Sequence, residues 1–435
     1  MRKLKAKRAK KSAGLDRREI LSGLALAAAG LASTKLLTKK ALAADEKLPP
    51  VKPIDPSYEV LEVGPGKRFD TLTAAGVFMN SDRRWNNGYA GPKNVARMGF
   101  RVIVSPGPPG YYVNDSGSHS RRWKGQTLGW PPYEWNFLGP VTVEGELGKP
   151  APVLETDGYG DGVLYYQAGL FTTGSCDATF RRLIFKGFRR QDGNGNYAAV
   201  RLGEATPGIP MNSHVLFEDC DISNCDNGIM GGSVGQSVTI RRCHFHENGN
   251  GTGSVHNVYF SSGDTLTVED TLSTRCIIGH LLKSRAATTI IRNTRLIGNG
   301  GSESACLDVP DAGVLDIDGL ICEKSPNTDA SWIIHYAGEN QDQGNHVPFH
   351  TPSSIKIRDL TMIAPPSIAR HPGWPILGFA NRSGAGEGES GKGSYLVKPD
   401  AQNVKAFGLT SANAGLPFTP LAAKPNLDLT SPAHL

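Results

Sequence analysis

The chain has 435 residues, of which 39% are hydrophobic and 52 are glycine, enough apolar material for a large core but too much glycine for a helical bundle. Lys and Arg number 47 against 41 Asp and Glu, a formal net charge of +6, yet residues 1–43 hold 12 of the basic groups and only 2 of the acidic ones, so the remainder carries −4. The basic balance therefore belongs to the N-terminus, and nucleic-acid binding loses its main support.

Residues 2–11 are dense in Lys and Arg, Asp16-Arg17-Arg18-Glu19-Ile20-Leu21 follows, and a modestly apolar run from Leu24 to Ala32 leads to Ala41-Leu42-Ala43. A basic region, a short apolar region and a small-residue cleavage site describe a targeting peptide over residues 1–43. Its arginine pair resembles a twin-arginine export motif, with Asp16 and Ile20 where Ser or Thr and Phe are more usual, and implies a periplasmic or secreted protein. No run approaches the ~20 apolar residues of a membrane span. Residues 44–57 read as a Pro-rich linker.

From there the chain becomes repetitive. Leu216-Phe217-Glu218-Asp219-Cys220, Thr239-Ile240-Arg241-Arg242-Cys243, Thr267-Val268-Glu269-Asp270-Thr271, Ile290-Ile291-Arg292-Asn293-Thr294, Asp316-Ile317-Asp318-Gly319-Leu320 and Lys356-Ile357-Arg358-Asp359-Leu360 read alike, with an earlier copy at Thr179-Phe180-Arg181-Arg182-Leu183. Phe217, Ile240, Val268 and Ile291 are separated by 23, 28 and 23 residues. An apolar anchor recurring at this spacing is a solenoid signature, and the period-two alternation within each copy makes the repeats strands. Eight residues after the anchors come Cys225, Asn248, Cys276, Asn299 and Ser325, small or amide residues suited to stacked corners. A second strand follows in each turn: Ile229-Met230, Asn257-Val258-Tyr259-Phe260, His280-Leu281-Leu282-Lys283, Ala305-Cys306-Leu307-Asp308 and Trp332-Ile333-Ile334-His335. Two or three strands per turn make an all-β, parallel β-helix.

Ahead of this ladder lie Glu62-Val63-Gly64-Pro65-Gly66-Lys67-Arg68-Phe69-Asp70-Thr71-Leu72, Arg101-Val102-Ile103-Val104-Ser105-Pro106-Gly107 and Val141-Thr142-Val143-Glu144-Gly145. With the ladder, they resemble the pectin-lyase-like right-handed parallel β-helix proteins over residues 58–400. The resemblance implies a single-stranded right-handed coil with a short N-terminal capping helix, here Leu72 to Met79. It implies no single activity, because that scaffold hosts lyases, hydrolases, esterases, epimerases and adhesins. Residues 401–435 read as a C-terminal tail, of which Pro417 to Leu435 lacks strand pattern and lies along the coil or is disordered, and the Gly-rich stretch Asn381 to Ser394 as a turn or binding lip.

The candidate chemistry falls on the second strands. Aligning their centres places Phe260, Lys283, Asp308 and His335 in one column at ~4.8 Å steps, with Arg285 two residues beyond Lys283 on the same side. β-Elimination at a uronic acid needs a cation for the carboxylate, a base for the C5 proton and an acid for the leaving oxygen. Arg285 suits the first role. Lys283 or His256 suits the second, a Lys283 base being favoured by Arg285 and opposed by Asp308. Tyr259 or His280 suits the third, and Asn257, Asp308 and His335 are read as substrate-binding. Both cations are expected to be exposed, so that removing either costs little stability. Convergence of these groups on one groove favours an enzyme; their burial or dispersal favours a scaffold.

Competing readings sit beside this one. Lys283 and Asp308 also make a plain rung-to-rung salt bridge. His244 and His246 alternate as metal ligands on a strand do, but outward histidines are more often solvated, and no metal is assigned. Asp311, Asp316 and Asp318 offer oxygens to calcium, but lie where Asp is common in turns, so no cofactor is required. Trp123, Trp130, Trp135, Trp332 and Trp374 are sugar platforms or packing. The seven cysteines show no zinc spacing and are read as buried thiols, an odd number leaving at least one unpaired. The Asp-Asp and Gly-His-Gly of polygalacturonase-like hydrolases and the Arg-x-Pro-x-x-Arg of pectate lyases are missing. The expectation is an exported monomer with an acidic polysaccharide as partner, a lyase or epimerase on uronate-containing glycan, or alternatively a non-catalytic glycan-binding or envelope scaffold. A glycoside hydrolase is the third choice.

Overall fold

The computed structural model describes residues 58–81, 99–114, 121–123, 126–128, 135–137, 140–156, 169–173, 176–189, 197–203, 212–328, 330, 332–337, 350–365, 367, 377–379, 398–409 and 416–435. The targeting segment 1–43, the linker 44–57 and the stretch 381–394 lie outside them. Among the described residues, 25 strands join one sheet whose pairings are all parallel; a separate antiparallel pair, Arg121–Trp123 with Gln126–Leu128, stands apart. No described helix is long and apolar enough to cross a membrane.

The coil has three faces. Sheet one stacks Glu59–Val63, Phe100–Val104, Val141–Gly145, Ala178–Arg181, Ser213–Glu218 and Gln236–Arg241, and continues through segments of Val258–Glu269, Leu282–Ile297, Ala312–Glu323, His350–Ile363 and Asp400–Phe407. The coil thus extends a rung beyond residue 400. Sheet two contains Ile184–Lys186, Asp221–Ser223, His244–His246 and Leu272–Thr274, and continues through the C-terminal ends of the long strands that finish at Ile297, Glu323, Ile363 and Phe407. Sheet three runs from Trp135–Phe137 through Gly169–Thr173, Ala198–Leu202, Asn227–Gly231 and the N-terminal ends of Val258–Glu269 and Leu282–Ile297 to Leu307–Val309, Ile334–Tyr336 and Leu377–Phe379.

The repeat anchors are in backbone register: Phe180 with Phe217, then Ile240, Val268, Ile291, Ile317 and Ile357. Every one of them is buried, and the Phe180 and Phe217 rings stack at 5.1 Å. Each such side chain contributes roughly 1.5–3 kcal/mol on leaving water. Between sheets one and two the chain must bend within one residue, and a left-handed backbone does it. Arg182, Asp219, Arg242, Asp270, Asn293, Gly319, Asp359 and Asn403 form a column of positive φ, 45–53° apart from 79° at Gly319. Asp, Asn and Gly tolerate that conformation. Arg242 is held in it by bonds to Asp219 Oδ1 and Oδ2 at 2.9 and 2.8 Å and to Glu218 at 2.8 Å.

At the N-terminus the helix Leu72–Ser81 follows the first strand. Thr71 Oγ1 caps it by accepting the Ala74 N–H at 3.1 Å, and Ala75 and Met79 join the core with Phe100. At the other end the tail returns along sheet two. The Leu421 amide donates to Ala406 O at 2.7 Å, Lys424 pairs with Glu323, Arg295 with Asp428 at 3.0 Å, and the His434 amide donates to Asp219 Oδ1 at 3.2 Å.

Candidate functional site

The outer face of sheet three positions the cluster. Tyr259 pairs in register with Lys283, Lys283 with Asp308 and Asp308 with His335. The column expected to begin at Phe260 begins instead one residue earlier. Phe260 pairs with Ser284 and is buried in the core, because alternation along the strand sends it inward when Tyr259 points out.

Asp308 is the hub. Lys283 Nζ lies 3.0 Å from its Oδ2, His280 Nε2 3.3 Å from the same oxygen, and His335 Nδ1 2.9 Å from Oδ1. Burial pushes the Asp308 carboxyl upward, but the Lys283 charge and the contacts with His280 and His335 outweigh it and hold the group well below the ordinary carboxylate range. Alongside, Arg285 Nη1 meets Asp311 Oδ1 at 2.5 Å and its Nε donates to Tyr259 Oη at 3.2 Å. From two rungs further on, the His350 ring contacts the Arg285 carbonyl at 3.1 Å. Lys283 Nζ lies 5.7 Å from the Tyr259 ring centroid, and Trp332 packs on His335 at 4.6 Å.

The two remaining histidines do structural work through one nitrogen. Asn227 Oδ1 accepts the His256 N–H at 2.8 Å, His256 Nδ1 accepts the His280 N–H at 2.9 Å, and His280 Nδ1 accepts the Ala305 N–H at 3.1 Å. An imidazole nitrogen that accepts an amide carries no proton, so the neutral rings hold theirs on Nε2. Burial first, then the electrostatic influence of neighbouring His280 and Lys283, keeps His256 well below the usual imidazole range. It is a neutral hydrogen-bond donor there. His335 differs: Asp308 holds its Nδ1, which directs the lone pair of Nε2 away from the hub.

The structure thus brings together Tyr259, His280, Lys283, Arg285, Asp308 and His335, with His256 stacked on His280 at 4.7 Å. Asn257 is turned inward. Its Nδ2 donates to Ser273 Oγ and Thr274 O, both at 2.9 Å, and its Oδ1 accepts from Asn248 Nδ2 at 3.1 Å. Lys283 and Arg285 are only 6% and 9% exposed rather than open to solvent. The sequence offers Asp311 as a turn acid or calcium oxygen and Trp332 as a sugar platform or packing aromatic; the structure sets Asp311 on Arg285 and Trp332 on His335. Of the acids considered for calcium, Asp311 is engaged by Arg285 and Asp316 by Arg292 at 2.9 Å. The side chains of Trp123, Trp130, Trp135 and Trp374 lie outside the described residues.

Comparison with known proteins agrees with this architecture. The model of a family described as a right handed beta helix region matches residues 165–313. The fold is a right-handed parallel β-helix of pectin-lyase-like type. No curated protein and no solved structure matches the chain. A β-helix of this kind fits a polysaccharide-active or glycan-binding protein, and the cluster on sheet three lies within and just beyond the matched rungs.

Proposed function

We propose that the sheet-three cluster is the active site of an exported lyase acting on uronate-containing glycan. The observation that carries this reading is the Asp308–His335 pair, set beside two cations on adjacent rungs. Asp308 orients His335 so that Nε2 takes the C5 proton, as a carboxylate orients a histidine base elsewhere. Arg285 and Lys283 stabilise the charge that the uronate carboxylate gains, the guanidinium offering two parallel donors. Tyr259 gives its proton to the leaving O4 as the C4–O bond breaks, and Arg285, already donating to Tyr259 Oη, stabilises the phenolate that results. The C5 electron pair becomes the new C4–C5 double bond. An epimerase would use the same base and return a proton to the opposite face of C5.

Ultraviolet absorbance of the unsaturated product, over a panel of uronate polymers, tests the reading. The expected result is turnover that His335→Ala removes while polymer binding persists. The burial of Lys283 and Arg285 favours a second reading, a glycan-binding scaffold, which predicts binding with neither unsaturated product nor solvent-hydrogen exchange at C5. Absence of binding to any uronate polymer overturns both. The export half of the proposal rests on Arg17 and Arg18; their replacement by Lys is expected to retain precursor in the cytoplasm, and unchanged export rejects the twin-arginine route.

A further inference from the structure

A second constellation lies on sheet two, outside the proposed active site. Asp221 pairs in register with His244, and His246 stands two residues further on the same outward face. His244 Nδ1 lies 3.2 Å from Asp221 Oδ2 and His246 Nε2 3.1 Å from Oδ1. The two imidazoles stack with centroids 4.4 Å apart, so both direct a nitrogen toward the same carboxylate, and the three ligand atoms lie within 4.8 Å of one another. A tetrahedral zinc site with bonds of about 2.0–2.1 Å sets neighbouring ligand atoms about 3.3 Å apart, close to the separations found here.

The far nitrogens face groups of the kind that metal-bound histidines use as outer partners. His246 Nδ1 lies 3.4 Å from Glu247 Oε2 without yet making a hydrogen bond to it, and Arg275 holds Glu247 from the next rung at 3.0 Å. His244 Nε2 lies 3.4 Å from Thr274 Oγ1. The three side chains retain 14–18% exposure, which leaves a solvent side for a water as fourth ligand.

We propose that Asp221, His244 and His246 bind one divalent transition-metal ion of the zinc class, clamping two consecutive rungs on the sheet-two face. The ion replaces the proton that otherwise links each imidazole to the carboxylate, so binding releases protons and weakens in acid. Two nitrogens and a carboxylate oxygen suit zinc, cobalt or nickel rather than calcium, which prefers an all-oxygen shell.

The test is calorimetric titration of Zn²⁺ into the chelator-stripped full chain, with thermal melting of the same samples. The expected results are one ion per chain, a higher Tm when loaded, and loss of the site in the His244→Ala/His246→Ala double variant. Glu247→Gln is expected to weaken binding about 10- to 100-fold while the ligands remain. His214→Ala and His335→Ala are expected to bind like the parent. Failure of the parent chain to bind overturns the proposal whatever the variants do. So does binding that survives the double variant, or binding that vanishes with His335→Ala, which would move the ion to sheet three.

Discussion

His256 and Asn227 hold the same place in successive rungs, and each uses one side-chain acceptor to bind the next rung's amide. An asparagine at 256 should therefore keep the ladder while removing a titrating ring. Because the buried His256 is held below its unfolded value, the unfolded chain binds more protons between the two. Its contribution is fully present above ~6.5, the unfolded imidazole value, and is lost as pH falls below that. His256→Asn is expected to fold, and to flatten the fall of stability between about pH 6.5 and 5, measured by denaturant unfolding across pH; an unchanged slope would show that the ring is protonated in the fold. Asp308 behaves differently from its surface-like appearance in the sequence. Its carboxylate is 1% exposed with three cationic or donor partners, so Asp308→Ala strands Lys283 in a buried site and is expected to cost about 3–5 kcal/mol. Lys283→Ala should cost less, since His280 and His335 still serve Asp308, but more than the near-zero loss expected of an exposed lysine. Thermal melts of the two variants and their double decide this. Equal, negligible shifts would mean the pair is solvated.

At the scale of the strand and its corner, the repeating anchors were legible because two independent signals coincide. Alternation sends Phe217, Ile240 and Val268 inward, and the residue two further on must take positive φ, which is why Asp, Asn and Gly recur there. That column makes a prediction of its own. Asn293 is exposed with φ of 45°, so Asn293→Val should lower stability by ~1–2 kcal/mol through backbone strain alone, whereas Asn293→Gly should stay within a few tenths. Denaturant midpoints measure both, and a tolerated valine would place the corner elsewhere. On sheet three the register was harder to read. Tyr259 and Phe260 are adjacent aromatics, either of which can centre the strand, and the pairing slips between Phe260 and Gly263. The histidine ladder was invisible for a different reason: Asn227, His256 and His280 share a backbone position and an acceptor, not a residue type. Asp311 entered the site from the turn after its strand, where no period points to it.

For the molecule as a whole, the coil's outer faces are not equivalent, and the tail explains why. Leu272, Ile297 and Ile363 alternate outward on sheet two, yet they are 0–2% exposed. Their register neighbours Arg295 and Glu323 are the residues that bond Asp428 and Lys424, so the returning tail passes beside this buried apolar stripe. An uncovered stripe of this kind is an association surface. Removal of residues 421–435 is therefore expected to lower the Tm and to promote concentration-dependent self-association, read by light scattering. Glycan turnover or binding should persist below the new Tm, because the Asp308 cluster occupies sheet three. The ionic contacts are not what holds the tail down: a tail with Lys424→Ala and Asp428→Ala should still cover the stripe and stay monomeric, since exposed ion pairs contribute at most ~1 kcal/mol each. If the truncated chain remains monomeric and equally heat-stable, the stripe must be shielded by something other than the tail. If it loses glycan activity while still folded, the two faces are coupled, and the independence of the site from the tail is wrong.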